Sequence, residues 1–137
     1  MKPSEERLQI RNSHLAANYL KDKVSALDHE ELWALYLTKD LSLIVCEMLT
    51  KGSLDATIMD SRTVIKRALL VNATSVILAH NHPSGNPCPG ANDIRQTEKI
   101  RSACNIMDIA LLDHIILAEN AYFSFADEMT VDYNQKR

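Results

Sequence analysis

Apolar positions recur along this chain with two periods. Between residues 12 and 21, Leu15, Ala16, Tyr19 and Leu20 fall at helical spacing and predict a first helix. Residues 31–37 and 41–49 are short apolar runs that read as strands, and the link at 38–40 predicts a hairpin although it lacks a glycine. A second helix is predicted from Asp60 or Ser61, either able to cap it, to Leu70. Its face is Val64, Ile65, Ala68 and Leu69, and Asn72 is a suitable stop. Residues 74–79 are nearly all apolar, the pattern of a strand buried on both faces. A third helix is predicted over 91–105, then strands over 109–117 and 121–125 joined by a turn at 118–120. The order α-β-β-α-β-α-β-β predicts an α/β fold, a mixed β-sheet flanked by helices. Residues 1–10 and 128–137 read as polar tails around one domain at 11–127.

Composition narrows the classes. A chain of 137 residues, 46% hydrophobic and 24% charged, has the balance of one globular domain with a real core. No run approaches the ~18 apolar residues of a membrane span. The first seven residues are charged where a secretory signal would turn apolar, and three cysteines without C-x-x-C spacing fit a reducing compartment; a cytoplasmic location is expected. Net charge is −3, with the 15 Lys and Arg scattered, so charge does not support a nucleic-acid partner.

The segment His80-Asn-His-Pro-Ser-Gly-Asn-Pro-Cys-Pro-Gly-Ala-Asn-Asp93 holds three of the four prolines and two of the three glycines. It is a loop of specified shape, from the carboxyl end of the buried strand to the next helix, where open α/β sheets place ligands. His80 and His82, two apart in extended chain, project to one side and can share a divalent cation. Asp93 is the best-placed third ligand, and two nitrogens with one oxygen suit Zn²⁺ and leave a position for water. The plainer readings are a surface or core histidine pair and a helix-terminal acid. Glu47 stands alone among apolar neighbours in 43–49. If that strand is buried on both faces, Glu47 is a candidate general base; if it frays into water, it is an ordinary surface acid. Asp113 and His114 interrupt another apolar strand, either orienting a ligand or binding substrate, or as a hydrogen-bonded polar pair. His14 and His29 read as surface residues, and Cys88 as a spectator.

Glu47, His80-x-His82-Pro83 and Asp93 resemble the JAMM motif of the JAB/MPN metalloproteases. Gly52-Ser-Leu-Asp-Ala56, His80-Asn-His-Pro-Ser-Gly85 and Leu111-Leu-Asp-His-Ile-Ile116 are similar to the signature blocks of the RadC family, over about residues 10–127. The resemblance implies a JAB/MPN-type sheet, cytidine-deaminase-like in shape. It implies Zn²⁺ on His80, His82 and Asp93, with Glu47 deprotonating water that attacks a peptide or isopeptide carbonyl of a protein substrate. RadC proteins usually carry a helical region before this domain; here the chain begins where the domain should, so any DNA-repair association of that region is not expected to carry over. Gly90 occupies the position of the JAMM serine, an oxyanion donor whose loss can cost on the order of 10²–10³ in rate. Ser84 is a possible substitute. The alternative function is therefore a metal-binding module with little catalysis.

Overall fold

The computed structural model describes residues 7–24, 28–51 and 59–134. Its elements in chain order are α1 (Ser13–Val24), β1 (Glu31–Leu37), β2 (Leu43–Lys51), α2 (Ser61–Leu70), β3 (Ser75–Asn81), α3 (Ala91–Ile106), β4 (Ala110–Leu117), β5 (Ala121–Ser124) and β6 (Met129–Asp132). The strands form one mixed sheet in the order β2-β1-β3-β4-β5-β6, in which only β3 and β4 run parallel. The α/β architecture expected from the sequence is present.

Strand alternation splits the core in two. Leu35, Leu37, Ile77, Ala79, Ile115 and Leu117 face α1, whose Ala16, Ala17 and Leu20 are fully buried against them. Leu32, Ala34, Tyr36, Val76 and Leu78 face the opposite way, onto Val64 and Ala68 of α2 and Ile100 and Cys104 of α3. All seven residues of the central strand β3 are buried, as its unbroken apolar run requires. Because the parallel step from β3 to β4 must cross over through α3, the loop after β3 and the start of α3 meet at one end of the sheet.

Local chemistry explains most boundaries. Asp60 caps α2 by accepting the Arg62 N–H at 3.0 Å, and Asn72 ends it with a φ of 58°. The hairpin predicted without a glycine instead places Leu41 at φ 68°, with Leu41 N–H donating to the Thr38 carbonyl and Thr38 N–H to that of Ser42.

Four expectations need correction. β3 runs past Ala79 to Asn81, so His80 belongs to the ladder itself. β2 is an edge strand of intermediate burial with Met48 46% exposed, so its apolar run on both faces does not mark two-sided cover. Residues 8–10, assigned to a polar tail, pair with the hairpin: Leu43 N–H reaches the Leu8 carbonyl at 2.7 Å, and Ile10 is buried. In the other tail, β6 pairs with β5 and buries Val131; with one inward residue in four, it carries too little apolar pattern to stand out. The Gly52–Ala56 block and residues 1–6 lie outside the described residues.

Candidate metal centre

Three elements converge where β3 ends. His80 is the sixth residue of β3, and the chain stays extended to His82, whose N–H donates to the Leu117 carbonyl at 2.9 Å and prolongs the pairing with β4. The loop then folds back. Gly85 takes a φ of 90° as its N–H donates to the His82 carbonyl, and the Asn86 carbonyl accepts from His82 Nδ1 at 2.9 Å. That return brings α3 in with its first turn against the histidines. Gly90 N–H holds Asp93 Oδ2 at 2.8 Å, and the carboxylate reaches His80 Nε2 at 3.3 Å and His82 Nε2 at 3.5 Å. His80 Nε2 and His82 Nε2 lie 3.0 Å apart.

Protons can be placed by following the hydrogen bonds. Thr97 Oγ1 lies 2.6 Å from the Asp93 backbone carbonyl, which only accepts, so the hydroxyl proton points there. Thr97 Oγ1 must therefore accept from His114 Nδ1, 2.5 Å away. His114 is fully buried, and burial first, then the neighbouring His80, pushes its pKa well below the usual histidine value, so the ring is neutral. With its proton on Nδ1, its Nε2 accepts from His80 Nδ1 at 2.6 Å. His80 Nε2 is left as a bare lone pair. His82 gives its Nδ1 proton to the Asn86 carbonyl, so its Nε2 is bare as well when the ring is neutral.

With both rings neutral, two imidazole lone pairs and a carboxylate point at one another, an arrangement that a proton on His82 Nε2 or a bound cation would relieve. The Asp93 carboxyl shows the same pull: burial alone would raise its pKa, but His80, His82 and the Gly90 N–H hold it well below the carboxylate range. Burial would likewise lower the pKa of His82, yet Asp93 and the Asn86 carbonyl raise it overall. The separations of 3.3 and 3.5 Å, measured to the two different Asp93 oxygens, fall near the ~3.3–3.5 Å edges of a tetrahedral site with bonds of roughly 2.0–2.1 Å, and the 3.0 Å between the two Nε2 atoms is shorter. The residues fit a small divalent ion.

A second acidic side chain joins the two histidines, and it is not the expected one. Ligand atoms of Glu30, His80 and His82 lie within 4.8 Å of one another, the one such His/Cys/Asp/Glu group among the described residues, and Asp93 is not a member of it. Glu30 immediately precedes β1, whose Leu32 lies opposite His80 in the ladder. Its half-buried side chain was invisible in the sequence because His29-Glu30-Glu31 looks like a solvated turn. The available signal was position, since it directly precedes a strand that pairs with the histidine strand. Glu47 is elsewhere. It shares the face of Leu78, but both its carboxylate oxygens are taken by the Arg67 guanidinium, Nε donating at 2.7 Å.

The other candidates separate. His114 orients His80, as one of the readings of the sequence had it, and the Phe125 ring stacks on it at 4.8 Å. Asp113 does not touch the centre. Its buried carboxyl accepts from Ser124 Oγ and from the His114 and Ala126 N–H groups, fixing the chain after β5. Ser84 is exposed, its Oγ 3.4 Å from the Asn86 N–H, and Cys88 is exposed in the loop.

Comparison with known proteins identifies the family. A family model described as a RadC-like JAB domain matches residues 10–130. A UPF0758 protein of Flavobacterium johnsoniae is 41% identical over 120 residues, covering 88% of this chain and 52% of the relative. One from Aquifex aeolicus is 37% identical over 127 residues, covering 93% and 54%. The UPF0758 protein YfjY of Escherichia coli is 39% identical over 123 residues, covering 90% and 77%. The chain thus spans about half the length of the first two relatives and about three quarters of YfjY. Among the described residues no helix is long and apolar enough to cross a membrane.

Proposed function

The chain belongs to the RadC-like JAB domain family, and from that premise we propose that it is a zinc-dependent hydrolase of peptide or isopeptide bonds. His80, His82 and Asp93 would hold the ion, and Glu30 would serve as general base in the role first given to Glu47. The observation that carries the reading is the convergence of His80 Nε2, His82 Nε2 and the Asp93 carboxylate at separations of 3.0, 3.3 and 3.5 Å. Two imidazoles with one carboxylate favour zinc over the oxygen-seeking magnesium and calcium.

When bound, zinc supplies a Lewis acid that polarises a carbonyl and acidifies water. The protein's own residues do the rest. His114 and Thr97 keep His80 in the tautomer that leaves Nε2 free. The Gly90 N–H fixes the Asp93 carboxylate. Glu30, beside both histidines, takes a proton from the attacking water and returns it to the departing nitrogen. Pro89, Ile94, Phe123 and Phe125, with the charged Glu98, Arg101 and Glu128, line a cleft of about 270 Å³ beside the start of α3, where a substrate side chain can lie.

Gly90 supports the second reading, a metal-binding module with weak catalysis. A Cβ built there would meet only Asp93 Oδ2, at 3.6 Å, so the place of a serine side chain is open and no hydroxyl fills it.

The test pairs metal analysis with cleavage of a peptide and isopeptide panel. One zinc per chain is expected in both the wild type and Glu30→Gln, with hydrolysis lowered about 10²–10⁴-fold in the variant. A zinc-loaded wild type without hydrolysis on the panel would favour the module, and a chain that takes no zinc would end both readings.

A further inference from the structure

We propose that Asn81 is a positioning residue for Glu30, fixing the backbone on both sides of the general base from its place between the two histidines. The proposal rests on the assignment of Glu30 above and concerns what holds that carboxylate in place.

The backbone pairing of β1 with β3 begins at Leu32 opposite His80. Glu30 lies just before Glu31, which pairs with Lys51 of β2, and two residues before the point where the pairing with β3 begins. Asn81 points away from the face of His80 and His82, by strand alternation, and its side chain is fully buried. Its Oδ1 accepts the Glu31 N–H at 2.8 Å, and its Nδ2 donates to the His29 carbonyl at 2.8 Å. One amide therefore satisfies the peptide groups immediately before and after Glu30, acting as a side-chain rung of the ladder. The flanking side chains tighten the same segment. His29 Nε2 meets Glu31 Oε2 at 2.8 Å, and Glu31 Oε1 accepts from Trp33 Nε1 at 2.9 Å.

Both donor and acceptor are needed for this bracket, which explains an asparagine at a fully buried position between two ion-holding histidines. A serine has too short a reach, an aspartate would face the His29 carbonyl without a proton, and an apolar residue would leave the Glu31 N–H and the His29 carbonyl without this partner. The same residue that ends β3 thus ties the base to the strand carrying the ligands, so Glu30 and His80 move together.

The test uses the whole chain loaded with Co²⁺ alone and follows the visible absorption of the ion against pH. Glu30→Gln removes a negative charge beside the ion and should lower the pH midpoint by about half a unit or more. Asn81→Ala should shift the midpoint in the same direction, by a smaller amount, while still taking one Co²⁺ per chain. Where hydrolysis is measurable, its kcat should fall with KM held. Asn81→Ser, which adds no charge and is too short to make either bond, covers the case in which Asn81→Ala does not fold, and should move the midpoint in the same direction as Asn81→Ala. A folded, loaded Asn81 variant with the wild-type midpoint, alongside a shifted Glu30→Gln, would overturn the proposal and leave the base assignment standing. An unshifted Glu30→Gln would remove the base assignment and this proposal with it.

Discussion

Thr97→Val isolates the proton arrangement from everything else at the centre. Valine nearly matches threonine in shape, and Thr97 is fully buried, so packing is preserved. What disappears is the oxygen that accepts His114 Nδ1–H at 2.5 Å. His114 then has two choices. It can keep its proton on Nδ1, unpartnered and buried, at a cost of about 1–3 kcal/mol. Alternatively it can move the proton to Nε2 and donate to His80 Nδ1, which drives the His80 proton onto the Nε2 that faces Asp93. Because the second choice avoids that cost it should prevail and disfavour the metal-ready tautomer, and zinc affinity should fall roughly 5- to 150-fold, the same 1–3 kcal/mol expressed as an equilibrium constant. Competition with a chromophoric chelator measures this directly. Thr97→Ser keeps the oxygen and should bind within about twofold of the wild type, under ~0.5 kcal/mol. Long-range ¹H–¹⁵N spectra of metal-free protein should show His80 as the Nδ1–H form in the wild type and enriched in Nε2–H in the variant. Folded Thr97→Val with wild-type affinity and an unchanged His80 tautomer would refute the reasoning.

Three further outcomes are expected. Glu47→Gln should leave zinc stoichiometry and affinity unchanged and lower stability by no more than about 1 kcal/mol in urea denaturation, because the Arg67 pair is part-exposed; loss of zinc-dependent hydrolysis in that variant would restore Glu47 as the base. Gly90→Ser has room for its side chain and an extended backbone at φ −84°, and as an N-cap it should stabilise α3 by a few tenths of a kcal/mol, about 0.3, read as a small rise in Tm; a gain in hydrolysis as well would mark the natural chain as the weakly catalytic module. Burial raises the pKa of Asp113 above its ordinary value despite three hydrogen bonds. The folded state therefore binds that proton more tightly than the unfolded chain. Its contribution to stability is full below the unfolded pKa, near 4, and is lost as pH rises through the higher folded value. Asp113→Asn should flatten this part of a stability–pH curve measured by urea denaturation, and a curve of unchanged slope would contradict it.

The sequence showed the ligands more readily than their surroundings, and the reason is local. His80, His82 and Asp93 lie on one strand end, one stiff loop and the next helix, so Pro and Gly positions alone announce their meeting. Asp60 and Asn72 were similarly legible because capping is a matter of adjacent residues. Glu30 reaches the centre across 50 residues of intervening chain, through a strand register that no local pattern states. Glu47 misled for a related reason. An apolar run says that a strand is covered, but not whether it lies at the centre or the edge of a sheet, and here α2 brings Arg67 to the carboxylate that the run left conspicuous. His114 stood out as a polar break in β4, yet its partner could be named only once β3 and β4 were known to run side by side.

The centre is built in two halves that a mutation can separate. On one side, His80, His114, Thr97 and Asp93 form a chain of hydrogen bonds through β3, β4 and α3, all in the best-covered part of the sheet. On the other, Glu30 hangs from the start of β1, joined to β3 beyond its last backbone rung by the Asn81 side chain. On the proposed function, metal affinity would depend on the first half and proton transfer on both. Damage to the β1 side should therefore leave an ion-binding protein that no longer hydrolyses, whereas damage to the α3 side removes both properties. It follows that zinc binding alone cannot distinguish an enzyme from a binding module in this fold. The distinguishing measurement is the difference between Glu30→Gln and the wild type at equal zinc occupancy. If hydrolysis per bound zinc is the same in both, the β1 half takes no part in the chemistry and the protein is a metal-binding module.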